Sequence, residues 1–223
     1  MAMRWLVMPS ATVLLTGCAS IGPPDVPPKA VGSTSLSQDI ATPALRTLDR
    51  LKVHEEVDSP RYERDLFGTP WRDVDRNGCD TRNDILARDL TGERLGPDGC
   101  TVLTGTLRDP YTGHTIHFTR GPHSTDVQID HVVSLSEAWK LGAYGWSTAK
   151  RTEYANDPSV LLAVDGPENT RKSDKDVTEW LPPRKAYRCA FARRVVAIKA
   201  EWHLWVTRAE KTELAMVLSG CPT

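Results

Sequence analysis

Two short apolar runs, residues 127–129 and 160–164, constrain this 223-residue chain more than any other feature. Both are short and rich in Val, Ile and Leu, so both read as strands. The first stops at Asp130-His131, and an amphipathic segment begins at once. The second, "VLLAV", is apolar throughout, as in a buried strand. The stretch behind it, "DGPENTRKSDKDVTEW", turns into a helix near Pro167 or Glu168. Locally, Asp130 reads as a helix N-cap with His131 in the first turn. A chemical reading needs a second hard oxygen ligand and a phosphate-facing basic cluster. Asn169 supplies the first, and Arg171, Lys172 and Lys175 surround it. Residues 171–199 hold nine Lys/Arg and three Asp/Glu, although such a run is usually a solvated helix face.

That local charge matters because the total is uninformative. Formal net charge is −1, and hydrophobic and charged fractions of 39% and 26% are those of an ordinary globular protein. A nucleic-acid binder usually shows a basic domain. Residues 1–17 read as a signal segment: Arg4, then an apolar run over 5–15 too short to span a bilayer. Its end, Leu15-Thr16-Gly17-Cys18, resembles a lipobox, which implies lipidation of Cys18 and an extracytoplasmic, membrane-anchored protein; ordinary cleavage and free secretion is the alternative. Residues 18–41, rich in Pro, Gly and Ser, form a tether.

Four cysteines remain, Cys79, Cys100, Cys189 and Cys221, an even number that suits two disulfides in an exported chain. Proximity favours Cys79–Cys100 and Cys189–Cys221. Helices are expected from Thr42-Pro43, from about Thr81, over 132–142, 147–155 and 185–206, and from the Thr207/Glu210 capping box to Gly220. Residues 101–107 and 115–119, joined by "DPYTG", form a hairpin. Asp73, Asp75 and Asn77 with Gly78 invite a calcium-loop reading, which lacks the closing Glu because Asp84 stands there.

The string "DHVVSLSEAW…YANDPSVLLAVDGPENTRKSDKDVTEWLPP" resembles the HNH, or ββα-metal, endonuclease proteins of exported bacterial type. Their domain is shared with the C-terminal part of GmrSD-type restriction endonucleases. The resemblance extends to "GTPWRDVDRNGCDTRNDILARDL" and "DPYTG…IHFTRG", covers about residues 60–221, and is most specific at "KSDKDVTEWLPP". It implies an α+β fold, a ββα-metal core with a small antiparallel sheet and several added helices, occupying residues 42–223 with its core motif at 127–180.

The resemblance also implies roles. Asp130 and Asn169 hold one divalent metal, Mg²⁺ or Mn²⁺, and His131 is the general base. Apart from the resemblance, the residues themselves offer Arg171, Lys172 and Lys175 as grips for neighbouring phosphates and Glu137 and His123 as further candidates near the site. The implied function is metal-dependent, sequence-tolerant phosphodiester hydrolysis of DNA, with RNA as a second substrate. The partners are nucleic acid and, through the lipid anchor, a membrane; no protein partner is implied. One position departs: relatives carry Asn nine residues before the metal Asn, where this chain has Val160, and Ser159 or Asn156 is near enough to substitute. The rival readings are a surface lipoprotein that keeps the fold but only binds, and a calcium-bound module built on residues 73–84.

Overall fold

Thr42 opens the described part of the chain: the computed structural model describes residues 42–58 and 60–222. The expected leader, Cys18 and tether lie outside the described residues. In helix α1 (Pro43–Arg50) the Thr42 hydroxyl accepts from Leu45 N–H, and Pro43 takes the first turn, where its missing N–H has no partner to lose. Asp80 caps α2 (Thr81–Asp89) by accepting from Asn83 N–H at 2.9 Å. Three antiparallel strands follow in spatial order: β1 (Thr91–Leu95), β2 (Val102–Arg108) and β3 (Thr115–Thr119). β2 and β3 are the expected hairpin. β1 escapes a sequence reading because every residue in it is exposed, so no alternation marks it.

A separate antiparallel ribbon pairs β4 (Val127–His131) with β5 (Leu161–Asp165), His131 lying opposite Leu161. The first strand therefore runs two residues past its apolar run, and Asp130 and His131 end a strand instead of capping a helix. The cap is Ser134, whose hydroxyl accepts from Glu137 N–H at 3.0 Å to start α3 (Leu135–Lys140). Helix α4 (Thr148–Asn156) leads into β5, and α5 (Gly166–Lys172) leaves it with Asp165 as its cap. A Cβ at Gly166 would meet the Thr125 carbonyl oxygen at 2.1 Å, so only glycine lets α5 begin this close to the chain entering β4.

Both faces of the ribbon are covered. Val127, Ile129, Leu161 and Ala163 pack with Ile85 and Leu86 of α2 and Phe118 of β3, while Val160, Leu162 and Val164 face the larger helical core. This explains the unbroken apolar run at 160–164. The remaining helices are α6 (Arg188–Glu201) and α7 (Arg208–Ser219). α6 is shorter than the expected 185–206: His203 takes a left-handed φ of 57°, and Val206 then bridges to Val53. Trp205 lies beyond the helix and packs against His54. Disulfides join Cys79 to Cys100 and Cys189 to Cys221, the pairing that proximity favours. In the 73–84 loop the acids turn inward. Asp73 accepts from Arg76 and Gly78 N–H, and Asp75 from Asn77 N–H, which is ordinary turn chemistry.

Candidate active site

β4 and α5 meet through two side chains from each. Gln128 and Asp130 share a face of the strand, and Asn169 and Lys172, three apart, share a face of the helix. Asn169 Nδ2 donates to Gln128 Oε1 at 2.9 Å. Lys172 Nζ donates to Asp130 Oδ1 at 2.9 Å and to the His131 carbonyl at 3.0 Å. Asp130 Oδ2 accepts from the Tyr111 hydroxyl at 2.6 Å. Burial raises the Asp130 pKa, with Lys172 opposing the rise, and burial beside that carboxylate lifts Tyr111 well above its ordinary value.

His131 is held from another side. Its Nε2 donates to the Ala155 carbonyl at 2.9 Å. A carbonyl only accepts, so the proton sits on Nε2 and Nδ1 keeps its lone pair. The ring lies 6.5 Å from Trp71, centroid to centroid, with planes 21° apart. Burial first, then the charges of Arg64 and Lys172, pull its pKa down to about 4, against the Ala155 bond. The imidazole is therefore neutral at neutral pH. Val160 is fully buried in the core, Asn156 Nδ2 donates to the Thr152 carbonyl, and Ser159 is exposed. The support for His131 comes from the main chain at the end of α4, not from either side chain that sequence offered as a substitute.

A cavity of about 570 Å³ opens over this unit. Asp130, His131 and Asn169 all line it, so the adjacent Asp130-His131 pair and the distant Asn169 come together. Tyr62, Arg64, Trp71 and Arg82, from the segment before β1, line it as well. Sequence reasoning missed these four. Trp71 and Arg82 lie inside the string that carries the resemblance, but no spacing ties them to Asp130-His131.

Other expected site residues are placed elsewhere. Lys172 is 1% exposed and committed to Asp130, so it does not face a phosphate. Arg171 pairs with Glu168 at 2.6 Å, and Lys175 donates to the Arg171 carbonyl; neither lines the cavity. Glu137 points into the core, 2.8 Å from Lys199. His123 is exposed beside Asp126, off the cavity. Much of the basic 171–199 segment is structural: Arg194 donates to the Ser159 and Leu161 carbonyls, Arg188 to Pro182 and Arg193 to Pro222.

The donor chemistry can be tested against a hard divalent ion. Asn169 fits, because Gln128 takes its amide nitrogen and so fixes Oδ1 as the remaining acceptor. Asp130 fits as the lesser ligand. Each carboxylate oxygen has one engaged lone pair and one left, and the engaged partner on Oδ1 is itself a cation. Asn169 and a shared Asp130 make a sparse set, the kind Mg²⁺ completes with water and phosphate oxygens.

The ribbon, the crossing helix and the cavity over them define an α+β, HNH-like domain with added helices. The chain belongs to the family of GmrSD restriction endonucleases, C-terminal domain, which it matches over residues 80–217. It is also 35% identical over 218 residues to an uncharacterized secreted protein of the fungus Arthroderma benhamiae, covering 96% of this chain and 97% of the relative. No solved structure matches it.

Proposed function

We propose that the protein is an exported endonuclease that hydrolyses phosphodiester bonds in nucleic acid, with His131 activating water. The observation that carries this reading is the His131 tautomer: Nε2–H is spent on the Ala155 carbonyl, and the bare Nδ1 belongs to a ring lining the cavity it shares with Asn169. A water there can lose its proton to Nδ1 as its oxygen bonds to phosphorus, while the bond from phosphorus to the 3′ oxygen breaks and that oxygen leaves, taking a proton from solvent to become a 3′-hydroxyl beside a 5′-phosphate. Asn169 and Asp130 hold Mg²⁺ or Mn²⁺, which when bound supplies neutralisation of the charge building on the phosphate. The fixed Gln128–Asn169 pair orients the amide oxygen. Lys172 and Tyr111 hold Asp130 and keep the end of β4 rigid next to His131. DNA is the first substrate and RNA the second, cut with little regard to sequence.

Export is supported by both disulfides and by the description of the fungal relative as secreted. We place a signal segment at 1–17, a tether at 18–41 and the nuclease domain at 42–223. Lipid anchoring at Cys18, as in a bacterial lipoprotein, rests on the lipobox residues alone. The binding-only alternative has one observation in its favour, the Lys172 ammonium already seated on Asp130. Nicking of supercoiled plasmid by the purified mature protein decides between them, with Mg²⁺ or Mn²⁺ against EDTA. Metal-dependent nicking that His131→Ala abolishes supports the nuclease; full activity in His131→Ala rejects the mechanism, and binding without nicking selects the alternative.

A further inference from the structure

Arg64 and Arg82 stand toward opposite ends of the strand that floors the cavity. Arg82 Nη2 donates to the Ser124 and Val127 carbonyls at 3.3 and 3.1 Å, which fixes its guanidinium at the first residue of β4. Arg64 lines the cavity and the recess next to it, which His131 also lines, at the last residue of β4. Four residue steps separate those ends, about 13 Å at ~3.3 Å per residue. A guanidinium reaches a phosphate oxygen over about 2.9 Å, so arginines set at the two ends of the strand are placed for different phosphates of a chain laid along it. Among the described residues, neither arginine forms an ion pair with a carboxylate, unlike Arg88 and Arg171. At the Arg82 end the charges of Arg120 and Asp80 also lie near; burial first and then Arg120 lower the Arg82 pKa, with Asp80 opposing.

We propose that Arg64 and Arg82 bind two different phosphates of one polynucleotide strand laid along β4, Arg64 at the end that carries His131 and Arg82 at the far end. This rests on the nuclease reading above and narrows its substrate. The ligand is a chain of linked phosphates, not a nucleotide or a small diester. Recognition runs through the backbone, because arginine–phosphate contacts position a strand without reading bases. It also moves the phosphate grip from the segment after Asn169 to the segment before β1.

The test compares two substrates in the mature protein: a 12-nucleotide single strand and bis(p-nitrophenyl) phosphate, which has one phosphate. Glutamine variants remove the charge yet keep an N–H for carbonyl partners. In Arg64→Gln and in Arg82→Gln the ratio of kcat/KM for the oligonucleotide to that for the diester is expected to fall at least tenfold, mostly through KM. Lysine at the same positions restores part of the ratio. In a His131→Ala background, each glutamine variant lowers the salt slope of oligonucleotide binding by about 0.7. An unchanged ratio with unchanged slopes overturns the proposal even when the wild type cuts. A loss that lysine does not restore marks a structural role and also overturns it. If the wild type cuts neither substrate, the nuclease reading fails, and the salt slopes still decide whether these arginines hold a strand.

Discussion

Lys172 Nζ lies 2.9 Å from Asp130 Oδ1, and the two side chains are 1% and 6% exposed. A single buried cation thus sits on the carboxylate that ends β4. Lys172→Met leaves that carboxylate buried and unpaired. The expected loss is about 3–5 kcal/mol by urea unfolding. Replacing both charges, Asp130→Asn with Lys172→Met, is expected to recover most of it. A single variant as stable as the wild type would show that the pair contributes nothing to the fold.

His131→Ala removes the proposed proton acceptor without adding a charge. Nicking is expected to drop by roughly 10²–10⁴-fold, the usual contribution of a positioned base, while plasmid binding persists. Single-turnover nicking beside a binding isotherm separates the two effects. A drop that follows binding alone would remove His131 from the chemistry.

Val160→Asn installs the side chain that the HNH resemblance implies at this position, and it is expected not to help. Position 160 is fully buried among apolar groups, and His131 already has its acceptor in Ala155. An amide placed there without a partner costs about 1–3 kcal/mol. Thermal unfolding should show a lower Tm, and nicking should be no faster. A faster enzyme would mean that the carbonyl leaves the ring poorly held.

Lys199, fully buried, lies 2.8 Å from Glu137 and 2.5 Å from Glu210. This cluster ties α3, which walls the cavity, to α6 and α7. Burial is the main reason the Glu210 pKa rises to about 7; Lys199 pulls it down and Glu137 pushes it up. The folded protein therefore holds this proton more tightly than the unfolded chain does. Its contribution to stability is complete below about pH 4.5 and is lost as pH rises to about 7. Relative to Glu210→Gln, which cannot ionise, the wild type should lose a few degrees of Tm between about pH 5 and pH 7.5. Parallel melting curves across that range would contradict this.

The readable parts of the chain were those with local signals. Thr42 and Thr207 announce their helices because a cap needs only its own next turn. Both cysteine pairs followed from nearness in sequence. Asp130, His131 and Asn169 could be placed in one site because the family resemblance links them; no local pattern does.

What was not readable depends on partners far away. A lysine in a basic run looks the same whether it faces water or a carboxylate 42 residues upstream, and so Lys172 was misplaced. Arg64 and Arg82 sit among acids in a loop-rich segment with no spacing to the motif. Tyr111 lay hidden in a turn sequence. "DPYTG" does turn the chain, but the same turn drives the ring into the core, against Trp180 and Phe191, so that its hydroxyl reaches Asp130.

The acceptor that seats His131 is a main-chain carbonyl, and every amino acid carries one. No replacement at position 155 deletes it, and drift at position 160 leaves it untouched. The seat of the ring therefore depends on where α4 ends instead of on the identity of one side chain. A proline that broke the last turn of that helix would do more harm to the ring's seat than any polar-to-apolar exchange at the position a pattern search inspects.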